Sequence, residues 1–164
     1  MAYFESLDVG INVALDEIFN NQNLCKYLYY NEKDPSSQPT ITNTTSLLLL
    51  NVFPLPKDPD AKESKKSYLN IYFMSAQPYQ KNSGFKKTFL CFDIICHLDI
   101  WLINEGIRPL KISAEIDRMF NNQYYKDLST NNMFFVDWSC NKYSDYFYGY
   151  HLTYALGQDS NTRC

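Results

Sequence analysis

The stretch FLCFDIICHLDIWL, from Phe89 to Leu102, decides the fold. Its even positions are all apolar: Leu90, Phe92, Ile94, Cys96, Leu98, Ile100 and Leu102. Its odd positions are Phe89, Cys91, Asp93, Ile95, His97, Asp99 and Trp101, a mixed set carrying two acids and a histidine. Successive side chains of a strand point to opposite faces, so this period of two predicts one strand with an oily face and a mixed face. The architecture that follows is a wide sheet, covered on one side. Its other side faces water, a partner or a lumen.

Neighbouring segments extend the sheet. Tyr68 to Met74 alternates, with Leu69, Ile71 and Phe73 against Tyr68, Asn70 and Tyr72. Gln77 to Lys87 contains Pro78, Asn82 and Gly84 and is expected to be a turn-rich connection, making the two strands an antiparallel pair. Met133 to Cys140 alternates again, and Phe134, Val136 and Trp138 are expected in the core. A turn at Asn141 to Asp145 leads into a last strand, Tyr146 to Leu156. This strand carries Tyr146, Tyr148, Tyr150, Leu152 and Tyr154 on one face. Four ring hydroxyls would all need partners in a core, which favours a partly exposed stacking or subunit-contact face.

Helices flank the strands. Leu7, Ile11, Ala14, Leu15 and Ile18 form one stripe of an amphipathic helix over residues 5–19, and a short helix over 24–30 follows. Pro109 sits where a first helical residue would be, and Ile112, Ile116, Met119 and Phe120 give the helix after it a core face. Ser46 to Phe53 is apolar and fits either a helix or a strand. Residues 34–45 and 54–67 are expected to be extended loops or arms, and 157–164 a flexible tail. The expected fold is α+β: one domain over 1–164 with an ordered core at 5–156. An antiparallel sheet of about four strands carries helices on one face.

Composition narrows the function. The chain has 164 residues, a net charge of −3, 14 tyrosines and 16% aromatics. An acidic balance argues against general nucleic-acid binding, which needs a basic face to displace counterions. Lys57, Lys62, Lys65 and Lys66 alternate with Asp58, Asp60 and Glu63, as in a solvated loop. Five cysteines with no CxxC spacing point to free thiols rather than zinc. Glu5 and Asp8 interrupt any leader-like apolar run, and Leu47 to Leu50 is too short to span a membrane, so no membrane partner is expected.

Candidate chemistry centres on Asp93, His97 and Asp99, on one face of the long strand. His97 and Asp99 would lie about 7 Å apart. Three groups in a row along a strand diverge, so a catalytic or metal site would need convergent partners, His151 among them. No phosphate-binding or hydrolase motif is present, and neither a catalytic residue nor a cofactor or metal is expected. The same three residues also fit a solvent or lumen face.

The order of elements, with LNIYF at Leu69 to Phe73, CFDIICHLDIWLI at Cys91 to Ile103 and IRPLKISAEIDRMFN at Ile107 to Asn121, resembles the tail-terminator and head–tail joining proteins of tailed bacteriophages. The resemblance implies a structural ring subunit of the virion neck, assembled in the host cytoplasm, and not an enzyme. Such a ring, most often a hexamer and sometimes a dodecamer, caps the tail tube. It joins the tube to portal or head-completion proteins, and DNA passes through its centre. Asp93, His97 and Asp99 would then face the lumen, with Trp101, Tyr146, Tyr148, Tyr150, Lys57, Lys65 and Lys66 at subunit interfaces. The Pro/Lys loop from Pro54 to Ser67 and the Ser/Thr loop before it depart from that family. Two other readings stand beside it: a small enzyme or ligand-binding domain using His97 and Asp99 in a sheet–helix pocket, and a phage-encoded regulator that binds a host protein through its tyrosines.

Overall fold

A computed structural model describes residues 3–59, 65–79 and 82–156; of residue 3, 75–79 and 82–87 it gives the backbone alone. Helices α1 (Tyr3–Asn20) and α2 (Gln22–Tyr29) are followed by two short 3-10 turns, Pro35–Ser37 and Thr44–Leu47. Strand β1 (Val52–Phe53), β2 (Ser67–Tyr79) and β3 (Asn82–His97) come next. A 3-10 turn at Leu98–Ile100 leads to the small pair β4 (Leu102–Ile103) and β5 (Gly106–Ile107). Helix α3 (Arg108–Phe120), β6 (Phe134–Lys142) and β7 (Phe147–Leu156) complete the chain.

The fold is α+β, as expected. The main sheet has five strands in the order β1-β2-β3-β7-β6, and only β1 runs parallel to its neighbour. Leu69, Ile71, Leu90, Phe92, Ile94, Cys96, Leu152 and Tyr154 enter the main core with Ile18, Leu24 and Leu28 of the first two helices and Ile112, Ile116 and Phe120 of α3. The even positions of the long strand therefore do lie under the helices, as far as Cys96.

Several boundaries differ from the expectation. The strand starts earlier, at Asn82, and stops at His97 instead of Leu102. The His97 ring ends it: Nδ1 accepts the Asp99 backbone N–H at 3.1 Å and starts the 3-10 turn. Leu98 and Leu102 consequently point to solvent rather than into the core. The expected loop at 77–87 is absorbed into a β2–β3 hairpin with register shifts at Met74/Gln77 and Pro78/Tyr79, irregularities that admit a proline within a strand. Ser46 to Phe53 resolves into a turn and β1.

The segment 34–45, expected as an extended arm, is tied to α2. Lys26 Nζ donates to Ser36 O at 3.2 Å. Gln22 bonds Ile41 through both its amide nitrogen and its amide oxygen, and the Tyr30 hydroxyl donates to Pro39 O. Of the second expected arm, 60–64 lies outside the described residues, as does the tail 157–164. Within it, Pro59 is buried and Asn70 Nδ2 donates to Lys57 O at 2.7 Å.

Arg108 joins the layers. Its side chain is fully buried, and its guanidinium donates to four carbonyl oxygens: Ile100 O (2.8 Å), Tyr27 O (2.8 Å), Tyr30 O (2.6 Å) and Glu32 O (2.7 Å). The last carbonyls of a helix have no intrahelical donor, and a cation there also meets the negative end of the dipole. Asn51 Nδ2 adds a bond to Leu28 O at 2.9 Å, so two long-range side chains cap α2.

Candidate assembly surface

From Cys91 to Ile95 the mixed face of the long strand is not open to water. Asp93, expected on a solvent or lumen face, is buried. Register places Asn70, Asp93, His151 and Ser139 in one row across four strands. Asp93 Oδ1 lies 2.7 Å from His151 Nδ1, and His151 Nε2 lies 3.0 Å from Thr153 Oγ1. The bond to Asp93 pushes the imidazole up from its ordinary value to about 10, so near neutrality it is an imidazolium donating from both nitrogens. Burial, and then the nearby Asp93 charge, pushes the Tyr72 and Tyr143 hydroxyls upward as well. A second apolar cluster of Phe53, Tyr68, Ile95 and Phe147, packed by Tyr143, seals the adjoining part of this face. Tyr68 of β2 and Phe147 of β7 pack with Ile95 of β3 on this face, which a period-two reading alone does not foresee.

His97 and Asp99 do not form a site with His151. His97 is four residues from Asp93 along β3, about 13 Å. Its ring stacks on Tyr146 at 5.9 Å and meets the Phe147 edge. Asp99 is exposed and ion-paired to Lys65 at 2.7 Å, and that bond holds its carboxyl below the usual range. No group of three or more His, Cys, Asp or Glu among the described residues could hold a metal ion.

The expected interface residues divide. Tyr146 is exposed; Trp101, Tyr148 and Tyr150 are half-buried. Trp101 and Trp138 flank the Tyr150 ring at 6.3 Å and 5.2 Å, forming an aromatic ledge. Lys57 lies over the Phe53 and Tyr68 rings at 4.7 Å and 5.2 Å, and Lys142 over Tyr148. Lys66 is half-buried, its carbonyl accepting the His97 N–H. The tyrosine stripe of β7 is graded rather than uniform. Tyr154 is core, donating to Asp117 Oδ1 at 2.9 Å, while Tyr150 and Tyr148 are half-buried and Tyr146, just before the strand, is exposed.

The surface that sequence reasoning missed is β6. Because β7 inserts between β3 and β6, β6 is an edge strand. Phe134, Val136 and Trp138, expected in the core, are exposed, Trp138 by 54%. The register shift between Phe135 and Asp137 also breaks the alternation, leaving Val136 without a partner in the ladder and putting Phe135 and Trp138 on the helix-side face. Between this strand and α3 runs an apolar groove of about 330 Å³, lined by Leu110, Ala114, Phe135, Trp138, Tyr150 and Leu152. Alternation in β6 was the available signal, but it cannot tell an edge from a centre.

At the opposite edge, the turn before β1 exposes three consecutive leucines: Leu48, Leu49 and Leu50. Leu49 has φ = 59°, a left-handed backbone that a branched side chain rarely adopts. Single exposed apolar residues are ordinary; contiguous ones rimmed by polar residues mark contact surfaces.

No helix among the described residues is long and apolar enough to cross a membrane. Cys25, Cys91, Cys96 and Cys140 are free thiols. A family model described as YomW matches residues 21–156, from the N-cap of α2 to the end of β7. No curated protein matches this chain, and no solved structure does.

Proposed function

The chain belongs to the YomW family, and from that premise we propose that it is a structural subunit of a bacteriophage neck or tail-completion ring. The family match supports a phage-associated protein. The observation that carries the assembly reading is β6. An unpaired edge with Phe134, Phe135, Val136 and Trp138 exposed beside an apolar groove is a liability in a monomer, and it becomes an asset once another chain covers it. Tryptophan and tyrosine at a groove are the residues that anchor protein contacts. The ring would cap the tail tube and meet the portal or head-completion proteins, with DNA crossing its channel. Of the lumen candidates, His97 and Asp99 remain available to a channel wall, whereas Asp93 serves its own sheet.

The experiment is electron microscopy of the purified chain, with native mass spectrometry over a concentration series. Annular particles of one mass, a simple multiple of the subunit mass, are expected. A chain that is monomeric at every concentration, alone and with the tail-tube protein of its own phage, overturns the reading.

A further inference from the structure

We propose that the Leu48–Leu50 turn of one copy seats in the α3–β6 groove of the next, a head-to-tail contact that repeats around the assembly. This rests on the ring reading above. The turn and the groove lie beside opposite edges of one sheet, β1 and β6, four strand spacings or about 19 Å apart. One molecule therefore cannot satisfy its groove with its own turn, yet every copy offers both halves. Such a contact is heterologous and generates a ring when the rotation closes.

The two halves match in layer and chemistry. Leu47, at the base of the turn, packs into the main core with α1 and α2, and the groove is walled by α3, so both belong to the helical layer. The turn presents apolar side chains only. The groove is lined mainly by apolar and aromatic side chains; of its polar members, Asp117 accepts the Tyr154 hydroxyl, Ser113 donates to Pro109 O and Asn121 Oδ1 accepts the Phe135 N–H. The β1 and β6 directions are opposite, so sheets laid edge to edge in this way keep antiparallel neighbours.

The backbone at Leu49 supplies an independent reason. A leucine 60% exposed with φ = 59° gains little burial within its own chain, and asparagine or aspartate fits that conformation better. Leucine is therefore unfavourable for the isolated monomer at this position. Strain held at an exposed apolar tip is accounted for by a contact made outside the chain.

The test is complementation. Leu49→Asp disables the turn while suiting its backbone. Ala114→Glu fills the groove from a half-exposed helical position that tolerates glutamate. Circular dichroism melts first confirm that both variants fold. In sedimentation velocity each variant alone should run as a monomer at concentrations where the wild type assembles. An equimolar mixture should give a 1:1 dimer and nothing larger, because one intact turn meets one intact groove. Wild-type rings with a Leu49→Asp chain that still assembles overturn this contact and leave the ring reading standing. A mixture that stays monomeric overturns it too. A wild type that never self-associates overturns both readings.

Discussion

Replacing Arg108 with methionine removes four charge-assisted hydrogen bonds while keeping most of the apolar stem volume. The four acceptors are backbone carbonyls, so no compensating substitution removes them. Two of the bonds, to Ile100 O and the one to Tyr27 O, are buried; those to Tyr30 O and Glu32 O are partly buried. Each buried orphan carbonyl costs about 1–3 kcal/mol, and a partly hydrated one costs less. Against this stands the relief of a buried guanidinium, whose desolvation holds its pKa below the ordinary value. The balance is a loss of about 3–5 kcal/mol, a large share of the stability of a domain this size. Urea unfolding followed by far-ultraviolet dichroism should show the midpoint falling with an unchanged slope. Arg108→Lys, with a compact charge and no planar fork, should fall between. Hydrogen exchange should localise the loosening to the end of α2 and residues 30–33. A loss under about 1 kcal/mol, or loosening spread evenly over the sheet, would refute the view that Arg108 ties α2 to the turn after β3.

Three further outcomes are expected. Gly149→Ala would place a Cβ 1.6 Å from Ile94 O, which only a shift of β3 against β7 relieves; a loss above about 3 kcal/mol, or failure to fold, should appear in thermal melts, and a tolerated alanine would contradict the close approach. The raised His151 pKa stabilises the fold fully below its ordinary value of 6.5, and that contribution fades as pH rises through about 10. The stability gap between wild type and His151→Gln should thus narrow between pH 7 and pH 10.5 in urea titrations; a constant gap means that the pair is not ionic. In a Cys164→Ser background, native protein should expose one fast thiol, Cys140, to a disulfide reagent. Burial pushes Cys25 to about 12 and Cys96 to about 11, and both should react only on unfolding.

The candidate surfaces were only partly legible. Aromatic character alone marks Trp101, Tyr146, Tyr148 and Tyr150 as contact residues, and the structure puts three of them half-exposed and Tyr146 in the open. Alternation assigns Trp138, the largest side chain on the β6 edge, to the core, yet it is exposed. An acid on a mixed face predicts a solvent-facing Asp93, yet it is buried. For these last two residues, type and period mislead because a neighbour distant in sequence decides the environment. For Asp93 that neighbour is His151. For Trp138 it is an absent one, since no strand among the described residues lies beyond β6.

What the chain alone determined is what local periodicity controls. Alternation over Phe89–Cys96 put Leu90, Phe92, Ile94 and Cys96 beneath helices, and the 3.6-residue stripes of α1 and α3 supplied those helices. These are properties of covalent geometry, since side-chain direction repeats every two or every 3.6 residues whatever the surroundings. Tertiary structure decided everything that depends on the order of strands. Inserting β7 between β3 and β6 made one alternating strand central and left another at the edge. It brought Asp93 to His151 and left an apolar groove beside α3. Strand order is fixed by contacts between segments far apart in the chain, and no window of sequence contains both partners.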